Sequence, residues 1–263
     1  MSAKKTKYYN YTLKEKARAL YISATEATRP PSVPTAPTKY SVTLGLSKTD
    51  ADALFALEKQ AITEAFGSWT NADDYQLCVV SGNKAADRAI AAAALAARSE
   101  ADPEKAFKIK ERAEERAKMF REYAGILTAS SRIAFHDRFL DRYMNELSAE
   151  ERSRADSMGF KLSVLENGKL VVLDDAHRFA TYKDKFYRGA FVGGAFTLSP
   201  WGRKTVEAKD GVSAYIAQNG LVFIEDGERM TGSGPTIQDS FAHFTGQATD
   251  YSPSQAAISE DEF

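Results

Sequence analysis

Between residues 159 and 204, eight aromatic side chains interleave with eight cations: Phe160, Phe179, Tyr182, Phe186, Tyr187, Phe191, Phe196 and Trp201 with Lys161, Lys169, Arg178, Lys183, Lys185, Arg188, Arg203 and Lys204. Only four acids intervene. Single-stranded nucleic acid requires such a mixture. Its phosphates need a cationic track and its unstacked bases need flat π-faces, each stack contributing about 1–3 kcal/mol. The competing use of these rings is core packing, because alternation along a strand turns roughly half of them inward. Phe191 and Phe196, in the glycine-rich run FVGGAF, are the expected core members.

Other chemistries lack their residues. GSG at 232–234 has no following Gly-Lys-Ser/Thr, and GNKAAD at 82–87 has no second phosphate-loop glycine. His136, His177 and His243 are far apart and have no zinc-type spacing or cysteine partners. His136 reads as a solvated residue on a charged helix. Asp174 and Asp175 could pair for Mg²⁺-dependent nuclease chemistry, but after a strand and just before His177 they read as a polar turn. No enzyme, cofactor or metal is expected.

Charge is distributed unevenly. Residues 1–29 carry seven Lys/Arg against two acids, whereas residues 239–263 carry five acids and no Lys or Arg. The chain ends ISEDEF. Glu260, Asp261 and Glu262 can imitate a row of phosphates, and Phe263 can imitate a base or fill a partner's pocket. The plainer use of such an end is solubility, to which a terminal Phe contributes nothing. A lone cysteine, Cys78, cannot form an internal disulfide and sits in the apolar-leaning run YQLCVV, where it reads as a buried small hydrophobe. With no run of about 18 apolar residues and no apolar signal core, the expectation is a cytoplasmic protein without membrane contact.

The elements that must position these residues follow from pattern. TRPPSVPTAPT at 28–38 reads as an extended linker after a basic, tyrosine-containing N-terminal arm. KYSVTLGL at 39–46 alternates as a half-buried strand. SKTD then opens a helix ending at Gly67. Residues 83–157 read as a helical insertion of three amphipathic segments, its fifteen basic and fourteen acidic residues giving a solvated, near-neutral face. Asp102-Pro103-Glu104 starts the second of these helices, and RIAFHDRFLDRYMNEL is the third segment. From 159 the pattern is β, with a hairpin turning at Asn167-Gly168 and two further strand-like stretches. The sum is an α+β chain with a mostly antiparallel sheet, best fitted by a five-stranded barrel with a helical elaboration.

Residues 211–241, GVSAYIAQNGLVFIEDGERMTGSGPTIQDSF, resemble the C-terminal signature of a family of bacteriophage single-stranded DNA-binding proteins. Gly211, Val212, Ser213, Asn219, Asp226, Gly227, Glu228 and Phe241 fall on that pattern. Tyr187, Gly189 and Phe191 look like the family's aromatic-x-Gly-x-aromatic strand, and YSVTLGLSKTDADALFALEKQAI is similar to its opening strand and helix. The resemblance implies an OB-fold binding single-stranded DNA with little sequence preference, and a flexible acidic tail that recruits replication proteins such as a polymerase, helicase or primase.

The organisation expected is a basic arm and linker over 1–38, an OB-fold domain over 39–245 and a disordered acidic tail over 246–263. The nucleic-acid-binding residues expected are Lys39, Tyr40, Phe160, Lys161, Tyr182, Lys183, Lys185, Tyr187, Arg188, Trp201, Arg203, Lys204 and Tyr215. Glu260, Asp261, Glu262 and Phe263 form the partner-binding tail. DNA against RNA is left open, as is a homodimer. The alternative is a protein-interaction module in which the helical block docks a partner and the aromatics are core.

Overall fold

Two strands that the sequence disguises open the computed structural model, which describes residues 7–29, 35–143, 145–203, 205 and 208–230. β1 (Tyr9–Thr12) and β2 (Ala17–Thr28) occupy what reads as a basic arm. β2 buries Ala17, Ala19, Leu20 and Ala24, and its register against the next strand shifts between Ala19 and Tyr21 and again between Ser23 and Thr28. Small interior residues and bulges erase the period-2 signal. The arm is therefore corrected to strands from Tyr9 to Thr28, and residues 30–34 of the expected linker lie outside the described residues.

β3 (Lys39–Leu46) follows as expected, then α1 (Lys48–Phe66). Ser47 caps α1 by accepting the Asp50 N–H, and Gly67 ends it in the left-handed region at φ 92°. Buried Asp50 ties the helix to the β1–β2 turn, accepting the Tyr11 hydroxyl (2.8 Å) and the N–H groups of Lys14 (2.9 Å) and Glu15 (3.1 Å). Short β4 (Val79–Ser81) leads into the antiparallel pair α2 (Gly82–Arg98) and α3 (Pro103–Arg121). Gly82 lets the pair close. A Cβ there would lie 2.2 Å from the carbonyl oxygens of Phe120 and Tyr123.

The helical insertion stops sooner than its composition suggests. β5 (Gly125–Ser131) is a barrel strand, with Leu127 and Ala129 buried. Over 132–147, expected as a helix, the described residues form an irregular segment around a short 3-10 turn at Phe135–Arg138. Asp141 takes the N–H groups of Tyr143 (2.7 Å) and Asn145 (2.9 Å), a local turn that competes with helix. The i,i+4 pair Phe135 and Phe139 is buried all the same. α4 (Ala149–Asp156) has a complete capping box from Ser148 and Glu151.

β6 (Leu162–Glu166) and β7 (Lys169–Val172) form the expected hairpin, with Asn167 at φ 50° and Gly168 at φ 75°. α5 (Ala176–Tyr182), β8 (Phe191–Trp201) and β9 (Gly211–Glu225) complete the order. Five strands close on themselves, running β2–β3–β5–β9–β8 and back to β2. All neighbours are antiparallel except β5 and β9. Numbered within the ring, this is the 1-2-3-5-4-1 Greek-key barrel of the OB-fold. β1 extends the edge of β8, β4 pairs with β5, and the β6–β7 hairpin extends β9. Inside lie Val42, Leu44, Leu54, Ile62, Leu127, Phe160, Phe196, Leu198 and Leu221, each large side chain contributing about 1.5–3 kcal/mol by leaving water. The expected tail, Glu260 to Phe263 included, lies outside the described residues.

Candidate nucleic-acid interface

The outer face of the barrel is built from strand residues whose neighbours point inward. Across β2, β3, β5 and β9 the register places Tyr21 beside Thr43 and Thr43 beside Thr128. The next row sets Ser41 beside Ser130 and Ser130 beside Tyr215. Tyr21 and Tyr215 are 41% and 46% exposed, and Lys39 is exposed at the start of the same face. Three strand spacings of about 4.8 Å set the two rings roughly 15 Å apart across a floor of hydroxyls. Small polar floor residues leave both rings accessible from above, and a Tyr presents a π-face with little rotamer entropy to lose.

A second cluster forms where β2 meets the start of β8. Arg18 pairs opposite Phe191, and the cations of Lys16 and Arg18 lie 4.9 and 5.3 Å from that ring's centroid. Phe191, expected in the core, is half-buried beneath these two charges. Five residues apart on one strand point to opposite faces, and Phe196, in phase with Val192 and Leu198, is the one that goes inside. Arg188 donates its Nε–H to the Leu20 carbonyl (3.0 Å). Arg229 sits 4.0 Å over the Tyr187 ring, whose hydroxyl accepts the Gly227 N–H (3.0 Å) and lies 3.0 Å from Asp226. Lys185 lies 3.0 Å from Asp226 and, with Tyr187, holds that carboxyl below the usual range. The close approach of 226–230 needs Gly189, at φ 101°, where a Cβ would lie 1.9 Å from the Glu228 carbonyl oxygen.

Several expected groove residues are elsewhere. Tyr40 is 5% exposed and Phe160 fully buried. Tyr40 meets His136 and Phe160 edge-on, and its hydroxyl bonds Asp137 (2.6 Å); burial and then Asp137 push that hydroxyl's pKa far up. Neither ring can stack on a base, so both are corrected to core. Trp201 and Arg203 lie at the opposite end of β8 from Tyr187 and Arg188, with the strand between them. The half-buried Trp201 ring packs on Gly211. Lys161 covers the Phe135 ring (5.6 Å), and Tyr182 donates to Glu166 (2.9 Å) beside exposed Lys183. Lys204 lies outside the described residues. The structure thus joins Lys185, Tyr187 and Arg188 in one cluster, leaves Lys39 and Tyr215 on the open face, and separates the rest.

Sequence reasoning overlooked Tyr21 and Arg18, because the bulged β2 hid which residues face out. His136 is also corrected. It is 7% exposed and stacks on Phe179 (4.3 Å, 5°), and burial pushes its pKa down while Asp137 opposes the shift. Cys78 is buried as expected, its thiol and N–H donating to Glu58 Oε1 (3.0 and 2.8 Å). Asp175 caps α5, and both it and Asp174 face Arg178. Among the described residues no group of three or more His, Cys, Asp or Glu could hold a metal ion, and no helix is long and apolar enough to cross a membrane.

No protein-family model matches the sequence, and no curated protein matches it. Among solved structures, the chain is similar to a single-stranded DNA-binding protein from bacteriophage Enc34 in complex with ssDNA. Identity is 12%, with 85% of this chain and 89% of that one covered, at a TM-score of 0.44. It is also similar to gp2.5, a single-stranded DNA binding protein encoded by bacteriophage T7. Identity there is 9%, with 86% and 97% covered, at a TM-score of 0.41.

Proposed function

We propose that this protein binds single-stranded DNA with little sequence preference, protecting it during phage DNA replication or recombination. The observation that carries the reading is the open hydroxyl floor of β3 and β5 with Tyr21 and Tyr215 standing on it and Lys39 and Arg188 at its margins. In an OB barrel this is the face that takes oligonucleotides. The floor's hydroxyls both donate and accept and so favour no single base edge; stacking and phosphate contacts supply the affinity, and those are indifferent to base identity.

The acidic end fits the same reading. The last described residue is Met230, whose N–H bonds the Arg188 carbonyl (3.0 Å) and whose side chain packs against the cluster of Leu20, Ala85 and Ile126. The acids that follow in sequence are joined to the barrel through the same chain, and covalent linkage raises the effective concentration of a second segment at a site it can reach. The tail competes with DNA and, once displaced, becomes available to a polymerase, helicase or primase.

Tyr215→Ala tests the reading directly. Binding to fluorescein-labelled oligo-dT is expected to weaken about fivefold or more, the loss of one base stack, with an unchanged melting temperature because the ring is exposed. Unchanged affinity would remove Tyr215 from the interface. The interaction-module alternative predicts no oligonucleotide binding by the parent chain.

A further inference from the structure

Where the helical pair returns to the barrel, α3 and β2 leave a cleft of about 360 Å³. Leu20, Met119 and Phe120 form its apolar base, Tyr21 and Thr43 its barrel side, and Arg116 and Arg188 its rim. α3 presents this side because Ala113 and Ala117, four residues apart, are the buried positions of the helix; Met119 and Phe120 then join a cluster around Leu20, Ala85 and Ile126. The volume is at the small end of the roughly 300–1,000 Å³ usual for ligand sites, room for one nucleotide.

The charges at the rim are uncommitted to the fold. Arg121, Arg138 and Arg178 are ion-paired with Asp87, Asp156 and Asp174. Among the described residues neither Arg116 nor Arg188 pairs with a carboxylate. The Nε–H···O bond from Arg188 to Leu20 orients its guanidinium and leaves the terminal nitrogens for a ligand. Two planar guanidiniums at an apolar pocket that takes one ring from β2 (Tyr21) and one from α3 (Phe120) match a phosphate next to a base.

Resting on the single-strand reading above, we propose that this cleft is a nucleotide subsite at the edge of the interface. A base lodges between Tyr21 and Phe120, and the adjoining phosphate bridges Arg116 and Arg188. The strand then leaves the barrel face and crosses onto α3, so the helical insertion is part of the binding surface and not a separate docking module.

The test uses the full chain, fluorescein-labelled oligo-dT and a series of salt concentrations. Arg116→Ala removes one phosphate contact and is expected to make the log–log salt slope shallower by about 0.7. Tyr21→Ala is expected to weaken binding about fivefold or more. Lys118→Ala, two residues and about 200° around the helix, is expected to leave both quantities unchanged. Arg116 is exposed and has no side-chain partner among the described residues, so a preserved circular-dichroism melt should accompany its loss. If the parent chain binds and Arg116→Ala keeps the parent slope, the cleft is not a subsite, though the single-strand reading stands. A Tyr21→Ala effect without an Arg116→Ala effect likewise confines the strand to the barrel face. If the parent chain binds no oligo-dT, the single-strand reading itself fails.

Discussion

From about pH 4.5 to about pH 8, Glu58→Gln is expected to gain about 3 kcal/mol of stability relative to the parent chain. Glu58 is fully buried in α1, and its Oε1 accepts the N–H groups of Cys78 (2.8 Å) and Val79 (3.0 Å) as well as the Cys78 thiol. Oε2 is buried and has no hydrogen-bond partner among the described residues. Burial outweighs those three donors and raises the carboxyl from 4.5 to about 7. Between those values the native state keeps a proton that the unfolded chain has released, so stability is full below 4.5 and falls as pH rises to about 7. At about 1.4 kcal/mol per pH unit the loss is about 3 kcal/mol. A glutamine keeps the acceptor oxygen and cannot ionise. Urea denaturation across the pH series should show the parent curve falling away from the variant; parallel curves would contradict the assignment.

Gly220→Ala is expected to be the most damaging of the glycine-to-alanine changes in the strands. Gly220 has φ 69°, and a Cβ there would lie 1.5 Å from the Lys161 carbonyl oxygen. Lys161 is where the two segments interlock, its N–H bonding the Gln218 carbonyl and its carbonyl accepting the Leu221 N–H (both 3.0 Å). β9 turns here from the barrel towards β6. Gly67 is a built-in comparison, with φ 92° and nothing within 4 Å of its added Cβ. Gly67→Ala should cost only the left-handed strain, about 1–2 kcal/mol, whereas Gly220→Ala adds overpacking of about 1–3 kcal/mol. Equal losses in urea denaturation would mean that the β9–β6 junction relaxes freely.

Local chemistry made much of this fold legible. Ser47 and Gly67 bracket α1, Asp102-Pro103 starts α3, and Asn167-Gly168 turns the β6–β7 hairpin, because caps and left-handed turns are written in single residues. Elements defined by distant partners were not. β2 is alanine-rich and bulged, and β5 follows two strong helices; only closure of the ring makes either a strand. The site suffered in the same way. Alternation says that Tyr40 and Ser41 face opposite sides, but not which side is interior, so Tyr40 and Phe160 read as stackers while Tyr21 went unnoticed. The aromatic and basic run at 159–204 also looks continuous in one dimension, yet β8 carries its two halves to opposite ends of the barrel.

Titration of fluorescein-labelled oligo-dT with the full chain, and with a chain lacking residues 256–263, measures the central claim in one experiment. Both should bind saturably in dilute salt, the shortened chain more tightly, with a log–log salt slope of about −0.7 for each phosphate held. No binding by either chain, or a slope near zero, would contradict the account.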